Sequence, residues 1–180
     1  MSSTSLDRTL AQEAGPYLIT RGNAQLRLRP VRTDDGPLLA EFFSRLSPED
    51  LRFRFLDFRR EPSAAEIAAM LEVDHRRGEH VLAFDTASGD LIATLMLIAD
   101  DLMETADVTI SVAADWKDRG IGWTLLRHAS DLAYLRGIKK LRSMESRANH
   151  DALEVERSLG FRTCPVEGDP SLVVLEAELG

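Results

Sequence analysis

Two glycines, at positions 120 and 122, stand beside basic residues in the segment from Lys117 to Thr124. Glycine lets a backbone approach a ligand closely and reach φ values that are closed to other residues. An alternating run before this segment predicts a strand, and an amphipathic pattern after it predicts a helix. The first amides of a helix lack intrahelical partners and carry the positive end of its dipole. The spacing therefore predicts an anion site, although Gly-x-Gly alone is also typical of an ordinary surface loop.

Three segments together resemble the GNAT acetyltransferase superfamily. The acyl-coenzyme A motif of that family is Gln/Arg-x-x-Gly-x-Gly/Ala, and its positions are occupied here by Lys117, Gly120 and Gly122. An Asn-x-x-Ala at Asn149 and a Leu-Gly-Phe at 159–161 are similar to the family's later segment. The third match is Leu-Arg-Pro-Val-Arg at 28–32, with two aspartates after it.

A narrower resemblance is to the bacterial protein-lysine acetyltransferase subgroup. It is carried by Phe-Phe-Ser-Arg-Leu-Ser-Pro-Glu at 42–49, followed by Arg54 and Phe55. The superfamily resemblance covers residues 25 to about 178. It implies an α/β fold of the GNAT type, with a central mixed, mostly antiparallel sheet of about seven strands and helices on both faces.

The resemblance implies that acetyl-coenzyme A is the cosubstrate and that no metal is used. A splay after the predicted strand 107–113 would free backbone groups for the pantetheine arm and the thioester oxygen, since an interrupted ladder leaves such groups unpaired. The residues expected to bind the cosubstrate are Val112, Ala113, Ala114, Lys117, Arg119, Gly120, Ile121, Gly122, Trp123, Thr124 and Asn149.

The general base is predicted from the alternation along the strand at 107–113. One face of that strand carries Asp107, Thr109 and Ser111. A central strand is normally apolar on both faces, so a polar face indicates a cavity for the acceptor. The subgroup resemblance implies a Glu near Asp107, which makes Asp107 the candidate base, directly or through a water. Glu104 is the nearby alternative, and the non-catalytic interpretation is that Asp107 caps a turn or pairs with an arginine.

Three residues depart from the family pattern. Lys117 replaces Gln or Arg and keeps a donor. Asp118 stands where Gly is common, and because a carboxylate repels a pyrophosphate it must point away or be paired. Glu156 stands where many members carry a Tyr that protonates the leaving thiolate. Glu156 would need a raised pKa to do the same, and a surface glutamate on a helix is the simpler expectation.

Local patterns predict the element order β α α α β β β α β α β β. The first three helices are expected to begin at Thr33, Ser47 and Ser63, which are of the type that caps helices. A hairpin turn is expected at 85–90 and the longest helix at 120–136. Residues 1–20 are predicted to form a mobile arm or a short docking segment, and 21–180 a single domain.

Charge and composition exclude several function classes. The net charge is −8 and the pI is about 5.0, which argues against broad nucleic-acid binding and against anionic membranes. The longest apolar run, 91–99, is too short to span a bilayer. The single cysteine, Cys164, excludes an internal disulfide. The four histidines have no ligand-like spacing. A bacterial cytoplasmic protein is expected.

Two functions follow from the resemblance. The first is an N-acetyltransferase in which an amine attacks the thioester directly. Its acceptor is a small molecule or a protein lysine. The second is a catalytically weak or inactive acyl-coenzyme A sensor, which the missing Tyr and the short Asp107 would suit. A homodimer is one option for the assembly.

Overall fold

The computed structural model describes residues 15–56 and 61–180, and these form eight strands and five α-helices. In chain order they are β1 (Tyr17–Ile19), β2 (Gln25–Pro30), α1 (Gly36–Ser44), α2 (Pro48–Phe55), α3 (Ala64–Leu71), β3 (Gly78–Asp85), β4 (Leu91–Ala99), β5 (Thr105–Val112), a 3₁₀ helix (Ala114–Trp116), α4 (Ile121–Leu135), β6 (Lys140–Ser146), α5 (His150–Ser158), β7 (Arg162–Pro165) and β8 (Leu172–Glu178).

All eight strands belong to one sheet, in the order β1-β2-β3-β4-β5-β6-β8-β7. Every neighbouring pair is antiparallel except β5 and β6. The predicted mixed, mostly antiparallel sheet is therefore confirmed, with eight strands in place of about seven. The additional strand is β1, which lies inside the segment predicted as an arm or docking segment. Three residues are too few to show a period in sequence, and β1 exists because it pairs with β2 at Leu18↔Leu26.

Helices cover both faces of the sheet, as predicted. On one face, α4 and α5 pack against buried residues of the central strands, such as Leu95 and Leu141. On the other, α1, α2 and α3 enclose a second core around Phe42 and Phe43. No helix within the described ranges is long and apolar enough to cross a membrane.

The predicted helix starts are right for two helices and wrong for one. The Ser47 hydroxyl accepts a hydrogen bond from the Asp50 amide, and Ser63 forms a reciprocal capping box with Glu66. The cap predicted at Thr33 is wrong, because α1 begins at Gly36 with Asp35 at the N-cap. The carboxylate of Asp35 does not cap the helix, since it is held by the Arg29 guanidinium at 2.7 and 2.8 Å.

Candidate active site

The central strands β5 and β6 separate from each other part-way along their length. They are paired only from Thr105↔Lys140 to Asp107↔Arg142. Beyond that point β5 stays paired with β4 as far as Val112, and β6 stays paired with β8 as far as Ser146. A splay is therefore present, but it begins within β5, after Asp107, and not after residue 113 as expected. The inner-edge backbone groups of β5 beyond Asp107 have no strand partner and are free to bond a ligand.

A cavity of about 430 Å³ occupies this wedge. Its walls come from β5 and β6, from α2 on one face of the sheet, and from the start of α4 and the side of α5 on the other. Of the residues predicted to take part in cosubstrate binding or catalysis, those that line it are Asp107, Val112, Lys117, Gly120, Ile121, Gly122, Trp123 and Asn149. Ala113, Ala114, Arg119 and Thr124 are not among its lining residues.

The glycine turn leads directly into α4. Gly120 is the N-cap residue, with φ +72°, a left-handed conformation that favours glycine. The following helix is 15 residues long, so its first amides provide a partial positive charge at the cavity wall. The hydroxyl of Thr124, expected to face the ligand, instead donates to the Gly120 carbonyl at 2.9 Å. Anion binding at this turn therefore depends on backbone amides.

Asp118 also has a left-handed backbone, with φ +60°. Aspartate tolerates that conformation better than most residues, at a cost on the order of 1 kcal/mol. This geometry explains why glycine suits the position. Asp118 lines the cavity.

The two predicted cations of the turn are both engaged by the protein. Lys117 forms an ion pair with Asp50 of α2, which ties the turn to the opposite wall of the cavity. The guanidinium of Arg119 lies 4.4 Å from the ring centre of Trp116 and donates to the Asp115 carbonyl. The positive charge of the turn is therefore partly neutralised before any ligand arrives.

The turn between β1 and β2 packs against the glycine turn and supports it. The sequence analysis did not predict this contact. The Thr20 hydroxyl donates to the Arg119 carbonyl at 2.6 Å. A Cβ on Gly22 would lie 2.7 Å from that same oxygen, so only glycine fits there. The Arg21 guanidinium lies 3.6 Å from the ring centre of Trp123 and places a further cation beside the start of α4. No local pattern at 15–22 indicates this contact.

Asp107 lies at the vertex of the wedge. Its carboxylate accepts from Arg142 at 2.7 and 3.1 Å, and its side chain is 57% exposed. This is the arginine pairing that was the non-catalytic interpretation of Asp107, whose role as base remains a prediction. The alternative base, Glu104, lies just before β5 and pairs with Lys139 at 2.7 Å. Both carboxylates sit in exposed ion pairs.

Glu156 is not the surface glutamate that was expected. It is only 5% exposed, and it lines the cavity from α5. The Ser143 hydroxyl donates to its Oε1 at 2.6 Å, while its Oε2 is buried without a partner. Burial, and after it the charge of the neighbouring Glu145, raise the pKa of Glu156 to about 8 against the opposing effect of the Ser143 hydrogen bond. Its carboxyl therefore holds a proton at neutral pH.

Glu145 of β6 is a second, half-buried carboxyl in the cavity. Burial raises its pKa to about 7, against the opposing effects of a hydrogen bond from Asn149 and of the charge on Arg54. The Asn149 amide donates to the carboxylate at 2.9 Å, and its oxygen caps α5. Asn149, predicted to bind the cosubstrate, thus also positions Glu145.

A signal for these carboxyls was present in the sequence. Along β6, Glu145 shares a face with Ser143 and the buried Leu141, because strand residues alternate. On α5, Glu156 lies three residues after the buried Leu153 and therefore on the same face. Following the buried face of β6 to Glu145 and that of α5 to Glu156 would have predicted that both glutamates point towards the same core.

Unpaired polar atoms also mark this cavity. Among the described residues, four buried side-chain atoms have no hydrogen-bond partner: His80 Nε2, Ser111 Oγ, Trp123 Nε1 and Glu156 Oε2. The last three belong to residues that line the cavity. Buried polar groups in proteins are normally hydrogen-bonded. Unsatisfied donors and acceptors around one cavity indicate that it receives a polar ligand.

A family model described as the acetyltransferase (GNAT) family matches residues 40–161, more than half of the chain. The chain belongs to the GNAT acetyltransferase family. The resemblance found in the sequence is thereby confirmed, together with the predicted enzyme class, an N-acetyltransferase.

Individual relatives agree with this GNAT assignment. An acetyltransferase of Pseudomonas aeruginosa is 27% identical over 136 residues, which are 74% of this chain and 73% of that protein. The GNAT domain of S. lividans PAT superposes with a TM-score of 0.82 at 24% identity, over 91% of this chain and 96% of that one. Spermidine N-acetyltransferase from Vibrio cholerae, solved with CoA and spermine, gives a TM-score of 0.69 at 17% identity, over 86% and 95% of the two chains. These structural likenesses show the GNAT fold.

Proposed function

We propose that this GNAT protein transfers an acetyl group from acetyl-coenzyme A to a primary amine. The observation that carries the proposal is a convergence in one cavity. The glycine turn, the separated strands and the carboxyls of Glu145 and Glu156 all open onto the same wedge. A site that only stored an acyl-coenzyme A would have no use for two carboxyls with pKa values near neutrality.

The wedge suits acetyl-coenzyme A as a substrate. The amides that begin α4, from Ile121 to Trp123, would hold its pyrophosphate. The unpaired inner edge of β5 would hydrogen-bond its pantetheine amides, and the orphaned Trp123 and Ser111 groups offer further polar contacts. Bound there, the thioester supplies an acyl carbon open to attack by an amine and a thiol that can leave.

The two glutamates divide the proton transfers. An alkylamine has a pKa near ~10.4 and enters as an ammonium ion. Its nitrogen loses two protons on becoming an amide, the sulfur gains one, and one is released to water. Glu145, about half ionised at pH 7, accepts a proton from the nitrogen in its ionised form. Glu156, protonated at that pH, supplies the proton to the sulfur, where other GNAT members use a Tyr. The pair titrates as a unit.

The test measures binding and transfer separately. Calorimetry with coenzyme A should show binding to the wild type and none to Gly120→Glu, because that side chain would crowd the turn at Arg21 and Gly22, place a negative charge beside the anion site and strain a left-handed residue. Gly89→Glu is the matched control, since Gly89 also has a positive φ and lies exposed in the β3–β4 turn. Undisturbed binding by Gly120→Glu would refute the glycine turn as the phosphate site.

Transfer is followed as thiol release from acetyl-coenzyme A with a panel of primary amines. We expect thiol release that depends on the amine, with a stoichiometric amide product by mass spectrometry. Tight binding of coenzyme A with no transfer to any amine would refute the proposed acetyl transfer and would favour the alternative, an acyl-coenzyme A sensor.

A further inference from the structure

Arg54 of α2 lines the cavity from the face of the sheet opposite to α4 and α5. The cosubstrate, as proposed above, occupies the side formed by the glycine turn. The wall around Arg54 therefore belongs to the half of the wedge left for the acceptor. Its apolar part includes Phe53 and Leu46 of the same region and Met144 of β6.

Among the described residues, no carboxylate contacts the guanidinium of Arg54. Two other basic residues line the cavity, and each is paired: Lys117 with Asp50, and Arg142 with Asp107. Within the described chain, Arg54 contacts only the Met96 sulfur, 3.3 Å from its Nη2, and the Phe55 ring, 5.0 Å from its Cζ. A thioether is a weak acceptor, so most of the five donors of this guanidinium are unused.

The groups around Arg54 do not supply the missing negative charge. Glu145 interacts with the Arg54 guanidinium only electrostatically, without a hydrogen bond, and its carboxyl is about half protonated near neutral pH. His80 is buried, and its pKa is lowered by burial first and also by Arg54, so it stays neutral. Burial lowers the pKa of Arg54, yet a guanidinium remains charged at physiological pH. This wall of the cavity therefore presents one uncompensated positive charge.

We propose that the acceptor is a small amine that carries its own anionic group, a carboxylate or a phosphate, and that Arg54 binds this group. The inference rests on the proposed acetyltransferase function. A planar guanidinium matches the two oxygens of such a group bidentately. An acceptor anchored there would direct its amine towards Glu145, the carboxyl that shares the electrostatic field of Arg54. Arg54 would then determine specificity and would not touch the reacting atoms.

The experiment compares amines that differ only in the anion. Probes are β-alanine and γ-aminobutyrate against their carboxamides, and phosphoethanolamine against ethanolamine, so the carboxylate and phosphate arms are separate. We expect the wild type to prefer the anionic member of at least one pair by about tenfold or more in kcat/KM, as is usual when a buried charge loses its partner. Arg54→Met, which keeps bulk beside Met96, should reduce that ratio to about one, and Arg54→Lys should restore part of it.

Arg52→Ala is the matched control. Arg52 lies two residues away on the same helix, is 45% exposed and pairs with Glu49, so its loss should leave the ratio unchanged. The same pairs are titrated into the coenzyme A complex by calorimetry, which tests Arg54 without turnover. Anionic amines should bind the wild type and lose affinity for Arg54→Met.

Each remaining outcome decides a different claim. If the neutral amines, or a lysine peptide with neutral flanking residues, are acetylated as efficiently as the anionic ones, the inference is refuted and the acetyltransferase stands. If Arg54→Met lowers kcat equally for both members of each pair, Arg54 serves the reaction and not the acceptor, which also refutes the inference. If no amine is acetylated, the proposed function fails, and calorimetry still accepts or rejects the anion site.

Discussion

The glycine turn and the carboxyl pair line the same cavity but are built in different ways. The turn is one contiguous segment, and its charge comes from backbone amides at the start of α4. The pair joins Glu145 of β6 to Glu156 of α5, and its properties come from burial of two side chains. Binding at the turn, as proposed, should therefore depend little on pH. The pair makes turnover depend on pH.

This difference predicts that binding and chemistry can be lost separately. A substitution in the turn should remove the cosubstrate and, with it, all activity. A substitution in the pair should leave the cosubstrate bound and remove the reaction.

The largest expected effect on turnover is that of Glu145→Gln. It keeps the shape and the Asn149 contact but cannot accept a proton, so kcat should fall by roughly 10²–10⁴-fold. The Kd for coenzyme A, measured by calorimetry, should stay within a few-fold of wild type. Glu104→Gln is the control, because Glu104 lies outside the cavity in an exposed pair with Lys139. If Glu145→Gln has the kcat of the wild type, Glu145 is not the proton acceptor.

Glu156→Gln should have a smaller effect on kcat and change its pH dependence. The wild type should show a bell-shaped kcat profile, rising as Glu145 ionises near pH 7 and falling as Glu156 ionises near pH 8. The variant should lose the alkaline fall, with kcat reduced by about tenfold at pH 7 because a thiol with pKa near ~8.5 can leave unaided. A retained alkaline fall would show that another group supplies the proton.

The same substitution should make stability less sensitive to pH. The pKa of Glu156 rises from 4.5 to about 8 on folding, so the folded chain binds the extra proton between these values. Its stabilising contribution is complete below pH 4.5 and is lost as pH rises through about 8. Between pH 6 and pH 8 the wild type should lose on the order of 2 kcal/mol of unfolding free energy more than Glu156→Gln. Urea unfolding at both pH values measures this difference. If the wild type and Glu156→Gln lose the same unfolding free energy, Glu156 is solvent-exposed and its pKa is not raised.

Thr20→Val should weaken the support of the glycine turn. It removes the hydroxyl that donates to the Arg119 carbonyl while keeping the side chain's shape. The unfolding free energy should fall by about 1 kcal/mol, and the Kd for coenzyme A should rise a few-fold. Ser44→Ala is the control, since its hydroxyl makes an exposed bond within α1. An unchanged Kd would show that the turn holds its shape without the Thr20 hydroxyl.

The smallest effect on turnover is expected for Asp107→Asn. Asp107 is paired with Arg142 and more than half exposed, so kcat should change by no more than about threefold, as for surface ion pairs generally. A loss of kcat larger than that of Glu145→Gln would reverse the assignment and restore Asp107 as the base predicted from the sequence.

Prediction from sequence succeeded where the determining residues are neighbours in the chain. Caps at Ser47 and Ser63 and the turn before α4 depend on hydrogen bonds within a few residues. Prediction failed where a residue's conformation or burial depends on a partner that is distant in the sequence. Asp35 was missed as the start of α1, and the short strand β1 depends on pairing with β2. The pKa of Glu156 depends on how α5 lies over Ser143, which no local pattern records.

By itself, the sequence determined most of the local elements and the glycine turn, because alternation, caps and two glycines act over a few residues, and its resemblance to the GNAT family implied the fold. The tertiary structure decided which acids are buried and which are paired. Asp107 and Glu156 are similar residues in similar amphipathic contexts, yet one lies in an exposed ion pair and the other is buried with a free oxygen. Within the described parts of the chain, it also gave Lys117 and Arg142 carboxylate partners and gave Arg54 none. Burial and pairing are properties of the packed chain, so they appear only when distant elements meet.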